Sequence, residues 1–230
     1  MNQSISDLKS VRVSRIGIFA ALYVATSFIP ISMFIGAPSF LALNLIITPV
    51  IALILSPIDA FLTSVFGGTL SFYAVPSQAM FGPYTILLPV CGATFGSLAY
   101  HKGKSGALFA LLFFLGSISS YLVVNYPFPY FVAPHLLAAL FTIISLTRGM
   151  TPAKVKIPIF VFIATMSEQG MMMIFAVHLL GLPWEAFVGI LPLMIYERLI
   201  ATIGGTLLIF GLLKALPEYF NSYLKGVRNR

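Results

Sequence analysis

Apolar residues run along this chain in long unbroken stretches, each closed by a short turn rich in Gly, Pro or charge. The stretches show neither the strict alternation of a half-buried strand nor the polar stripe of a soluble amphipathic helix. They read as membrane-spanning helices, in which each backbone N–H finds a carbonyl within its own segment. The first runs from about Ile16 to Phe34 and breaks at Gly36-Ala37-Pro38. The second covers about Phe40 to Leu55, and Ser56-Pro57-Ile58-Asp59 follows as a tight turn with a helix-start signature. The third covers about Ala60 to Tyr73, and Ala74 to Pro83 reads as a loop. The remaining spans are about Tyr84–Tyr100, Gly106–Val124, Tyr130–Leu146, Ile157–Leu180 and Ala186–Leu213. The second and third are short for a crossing of roughly 20 residues, so they are either tilted and shielded or a re-entrant pair.

Composition strengthens this reading. Hydrophobic residues make up 59% and charged residues 8% of the 230. A soluble domain carries roughly 25% charged residues, so the excess apolar surface here needs lipid. An outer-membrane barrel would alternate apolar and polar over ~10-residue strands, which these runs do not. The expected fold is therefore all-α, a polytopic transmembrane bundle of about eight spans. It comprises an amino-terminal tail at 1–15, a helical domain at 16–214 and a basic tail at 215–230. The amino end shows no small-residue cleavage site after a short apolar core, so no removable signal peptide is expected. The lone Cys91 excludes an internal disulfide and a cysteine-cluster metal site.

The formal charge of +7 would suggest nucleic acid in a soluble protein, but here it follows from span flanks that meet anionic lipid. With the amino end inside, Lys9, Arg12, Arg15, Lys102, Lys104, Arg148, Lys154, Lys156, Lys214, Lys225, Arg228 and Arg230 all fall on the inner side. Of the 13 Lys and Arg, only Arg198 lies within a span. The positive-inside rule then expects both termini in the cytoplasm. Tyr126, Phe128, Tyr130 and Trp184 fall in outer turns, as an aromatic belt does.

Charges within spans are costly and usually face the bundle interior. Glu168 lies mid-way along the seventh span, and Glu197 and Arg198 mid-way along the eighth. Glu168 and Arg198 either form a structural ion pair or contact a ligand, and one carboxylate is left over beyond a single pair. Asn44, Ser167, Gln169, His135 and His178 are further polar groups in the spans. Gly92 and Gly96 form a GxxxG, Gly67-Gly68 and Gly204-Gly205 are paired, and Ala21 and Ala25 form an AxxxA; such small residues let helices approach closely. Enzyme signatures are missing. Gly103-Lys104-Ser105 imitates the end of a phosphate loop, but Leu98 stands where that loop needs Gly. No HExxH, GxSxG or paired Asp motif occurs, and His101, His135 and His178 fall at dissimilar depths. No enzyme activity, cofactor or metal is implied.

The stretches RIGIFAALYVATSFIP, FLALNLIITPVIALILSPIDAFLTSVFGG and FGPYTILLPVCGATFGSLAYH, in this order, carry a likeness, as does the closing stretch from Ser167 to Leu216. Together the pattern resembles the substrate-binding S component of energy-coupling-factor (ECF) vitamin transporters. That family usually has six helices, so 106–147 would be an inserted pair. The resemblance implies uptake of a vitamin or related small molecule across the plasma membrane by a multi-pass subunit without its own ATPase. Ala21 and Ala25 would contact a transmembrane T component coupled to two cytoplasmic ATPase subunits. Substrate would bind towards the outer side, with Glu168, Glu197 and Arg198 as anchors, Trp184 and Tyr84 as stacking groups and Gln78 as a gate contact. Two other readings compete: a self-contained ion-coupled transporter or channel, with Glu168 titrating, and a membrane scaffold whose small-residue motifs hold partner helices.

Overall fold

The computed structural model describes residues 5–33, 40–148 and 153–215. The break expected at Gly36-Ala37-Pro38 and the basic tail beyond 215 lie outside them. The described chain is predominantly helical, with eight α-helices and one two-stranded sheet. Four helical stretches are long and apolar enough to cross a membrane: Gly103–Asn125, Pro129–Thr147, Lys154–His178 and Trp184–Ala215.

Helix α1 (Ile5–Ser27) stops earlier than the apolar run does. Pro30 disfavours helical backbone at the residue before it. The chain instead becomes strand β1 (Pro30–Met33), paired antiparallel with β2 (Phe40–Ala42), with an irregularity between Pro30 and Ser32. The first span therefore does not extend as helix to Phe34.

Helix α2 (Asn44–Ile54) has 11 residues, about 16 Å at 1.5 Å each, against a hydrocarbon core of about 30 Å. All of its residues except Ile46 are buried. A helix buried on every side is a core element, which explains why its sequence is apolar all round. The second expected span is thus a short interior helix. Helix α3 (Pro57–Ala74) starts as expected: Ser56 accepts from the Asp59 backbone N–H at 3.4 Å and donates to Asp59 Oδ2 at 2.9 Å, with Pro57 in the first turn. The segment expected as a loop after α3 holds two short 3-10 turns, Pro76–Gln78 and Gly82–Ile86. Helix α4 (Leu87–His101) follows directly.

Helices α5 (Gly103–Asn125) and α6 (Ala133–Arg148) correspond to the expected inserted pair. They pack on α4 and α7 (Ala153–His178). Tyr121 stacks on Phe131 at 5.2 Å, and Phe187 of α8 (Trp184–Ala215) meets both rings edge-on. Large apolar side chains such as Phe109, Leu112, Leu136, Leu140, Ile203 and Leu207 face outward from α5, α6 and α8. That is the surface a lipid environment requires.

Small residues set the centre. Gly92 and Gly96 of α4 face Thr48 and Ala52 of α2 on one side and Ala164 and Glu168 of α7 on the other. A Cβ at Gly92 would sit 2.7 Å from Thr48 Cγ2 and 2.9 Å from Glu168 Cβ. The four-residue spacing on all three helices lets their backbones approach along one seam. On the far side of α2, Gly205 of α8 leaves room for Pro49 and Val161.

Basic residues collect at one end of the bundle. Arg12 Nε donates to Asp59 Oδ1 at 2.5 Å, joining the starts of α1 and α3. Ser97 Oγ donates to the Leu55 carbonyl at 2.8 Å, which brings the end of α4 to the α2–α3 turn. Lys156, in the first turn of α7, lies 4.6 Å from the centroid of the Tyr100 ring.

Candidate functional site

Opposite the basic end, two groups of polar side chains are buried in the bundle. The first is tied together by its own hydrogen bonds. Asn44 Nδ2 donates to Ser27 Oγ at 2.9 Å and to Gln78 Oε1 at 3.1 Å. Ser71 Oγ donates to Ser27 Oγ at 2.9 Å, and Gln78 Nε2 donates to the Ser27 carbonyl. The network joins the end of α1, the start of α2, the end of α3 and the turn after it. It also supplies a partner to a carbonyl that α1 leaves unsatisfied at its last turn. Gln78, expected as a gate contact, is buried and held by a pair of directed amide bonds.

The second group has unfilled capacity. Glu168 is 3% exposed, and its Oε2 has no hydrogen-bond partner among the described residues. Arg198 is 2% exposed; Nη1 donates to the Thr165 carbonyl at 3.1 Å, while Nε and Nη2 have no partner among those residues. His135 of α6 is fully buried, with both ring nitrogens in the same state, and Gln169 Oε1 shares it. Glu197 differs, since Ser32 of β1 donates to its Oε1. That bond fastens the α1–α2 connection onto α8. Of the two alternatives for Glu168 and Arg198, a direct ion pair is not seen: Glu168 Oε2 and Arg198 Nε and Nη2 have no hydrogen-bond partner among the described residues. The Arg198 guanidinium is drawn to a main-chain carbonyl three residues before Glu168 instead.

One cavity joins the two groups. Its volume is about 30 Å³, enough for water or a very small solute, and its lining includes Tyr23, Asn44, Gln78, Thr85, Glu168 and Met172. Strand β2 contributes Phe40, Leu41 and Ala42, so the α1–α2 connection forms part of its wall. A larger cleft, about 340 Å³, lies between α6, α7 and α8. Apart from Arg198 its lining is apolar, with Pro134, Leu137, Phe162, Met194 and Leu199, so it offers little to orient a polar solute.

Of the expected binding residues, the fold brings Glu168 and Gln78 to one cavity. Glu197 and Arg198 are adjacent on α8 and do not line it. Tyr84 is half exposed and tilts against Phe175 at 5.9 Å, and Trp184 is partly exposed at the start of α8. Neither ring lines the cavity, because Tyr84 sits in a 3-10 turn outside α4 and Trp184 is the first residue of its helix. Sequence reasoning passed over Tyr23, Ser27, Ser32 and Thr85. Single hydroxyls at the ends of apolar runs carry little signal; Asn44, an amide opening a helix, is the strongest of the set. Ala21 and Ala25 are exposed on α1 with Gly17, forming an unobstructed small-residue face.

Comparison with known proteins adds one relative. An uncharacterized protein of Methanocaldococcus jannaschii is similar at 26% identity over 213 residues, covering 88% of this chain and 70% of that protein. No family model matches the chain. No solved structure matches it.

Proposed function

We propose that this chain is the substrate-binding subunit of an ECF-type uptake transporter, taking up a vitamin or related small molecule across the plasma membrane. The observation that carries the reading is the buried Glu168 carboxylate at a cavity walled by the α1–α2 connection, whose volume of about 30 Å³ admits one polar end of such a solute. A partly open site with a few polar groups under a connecting segment suits a subunit that captures a solute on one face and delivers it on the other. The bundle inserts with both termini in the cytoplasm, since anionic lipid and the positive-inside rule favour the end carrying Arg12, Lys102 and Lys156 there. On that reading the chain returns inward through β2 and the short α2, and α1, α3 and α4 to α8 each cross, so both termini stay on one side.

The exposed Ala21–Ala25 face of α1 would receive the transmembrane T component, and two cytoplasmic ATPase subunits would energise release. Ala21 lies roughly 14 Å along α1 beyond Arg12, within helix-packing reach of a partner in the inner half. The test is ATP-driven uptake in membranes holding the assembled complex, with Ala21→Trp as the probe. The variant should retain solute binding by the isolated chain and lose uptake. Uptake at the wild-type rate in Ala21→Trp removes the coupling role. A second reading rests on the same buried carboxylate: an ion-coupled transporter would use Glu168 as its titrating group. It predicts gradient-driven flux by the chain alone in liposomes, which the first reading does not.

A further inference from the structure

We propose that the Glu168 cavity selects a small cation that donates hydrogen bonds, such as a protonated amine or amidinium nitrogen. The inference rests on the solute-binding reading and names the chemical class that site would take. The argument is one of hydrogen-bond capacity. Both Nδ2 hydrogens of Asn44 are committed, to Ser27 and to Gln78, so its side chain has only Oδ1 to offer a ligand. Gln78 Oε1 already accepts from Asn44, and Gln78 Nε2 donates to Ser27. Thr85 Oγ1 accepts the Phe81 N–H at 3.0 Å and keeps its own hydrogen, and Tyr23 adds a second neutral hydroxyl to the wall. Glu168 adds a carboxylate oxygen with no partner among the described residues, on a side chain 3% exposed. Arg198, whose charge reaches Glu168 from α8, spends its Nη1 on the Thr165 carbonyl and does not line the cavity. The wall therefore presents one carboxylate oxygen without a partner and one amide oxygen beside neutral hydroxyl and amide groups, with no Lys or Arg in the lining. A buried carboxylate among neutral groups complements a cationic donor and disfavours a second anion, which would face Glu168 in a low-dielectric setting.

The test uses three planar probes of the same size and shape: acetamidinium, acetamide and acetate, which differ chiefly in charge. Binding to the purified full chain in detergent is read by ligand-observed NMR competition. Acetamidinium should bind about tenfold tighter than acetate, as one charge-assisted hydrogen bond implies. Glu168→Gln should weaken acetamidinium about tenfold and change acetamide by less than about twofold. Glu168→Asp, which keeps the charge, should keep the preference for the cation, and serves if the glutamine variant does not fold. Equal or tighter binding of acetate, no binding of any probe, or a cation preference that survives in Glu168→Gln overturns the proposal. The parent reading fails separately: cation binding without ATP-driven uptake by the complex would leave the site and remove the transporter, whereas uptake of an anion would do the reverse.

Discussion

The seam of α2, α4 and α7 makes a quantitative demand on Gly96. A Cβ there would lie 3.0 Å from Ala52 Cβ and closer still to Ala164, on two helices at once. Gly96→Ala gains about 1 kcal/mol of helix propensity. Overpacking a tight interior costs typically 1–3 kcal/mol, and two neighbours place this site towards the upper end. The expected net is a loss of roughly 1–2 kcal/mol, or some 2–8 °C in thermal midpoint for a chain of this size. Ala164→Gly removes the opposing Cβ and costs about 1 kcal/mol of propensity on its own. In the double variant the two propensity terms cancel and the worse contact is gone. It should fall within about 1 kcal/mol of wild type, with a coupling energy of roughly 1–2 kcal/mol across the cycle. Gly116, whose Cβ position has nothing within 4 Å, supplies the control: Gly116→Ala should hold or raise the midpoint. Thermal unfolding of the four proteins and the control in one detergent reads all of these. If Gly96→Ala is as stable as Gly116→Ala, or the coupling energy is below about 0.3 kcal/mol, the three helices do not meet as described.

Two further outcomes follow from the hydrogen bonds. Asn44→Ala strips donors from Ser27 and Gln78 and should cost about 1–3 kcal/mol, visible as a lowered thermal midpoint and faster amide exchange in Pro76–Gln78. Arg12→Ala breaks an ion pair whose arginine is half exposed, so it should cost under about 1 kcal/mol and matter less in high salt; Asp59→Ala also removes the Ser56 contact and should cost more, which unfolding at two ionic strengths checks.

The helices were legible because lipid and helix geometry leave so few alternatives to a long apolar run. Ser56-Pro57-Ile58-Asp59 announced the start of α3 correctly because each residue acts locally: a hydroxyl cap, a pre-set φ and a carboxylate at the helix start. The end of α1 was misplaced although Pro30 was in view, since hydropathy continues through a strand as easily as through a helix. The status of α2 was half legible. Its length argued against a full crossing, but burial on every side comes from neighbours far along the chain. The site was least legible for the same reason. Glu168 could be singled out as a charge in an apolar run, but its companions Asn44 and Gln78 reach it only because α2 and the turn after α3 converge on Ser27.

Energetics separates the two buried polar groups. The Ser27–Asn44–Ser71–Gln78 network has its donors matched to acceptors, so it accounts for itself as structure. Glu168, Arg198, His135 and Gln169 each keep a buried atom without a protein partner among the described residues. Each such atom costs roughly 1–3 kcal/mol, more where the group is charged, and the sum is comparable to the whole stability of a domain. Hydrophobic residues of like volume would remove that cost. Arg198 attracts Glu168 across the bundle, but no direct hydrogen bond links them, so each keeps an unmatched polar atom. A bundle that carries such groups at its centre recovers their cost only when something outside the chain satisfies them, whether water, a proton or a solute. The cavity at Glu168 gives such a partner room beside that carboxylate, and the larger cleft between α6, α7 and α8 does so beside Arg198.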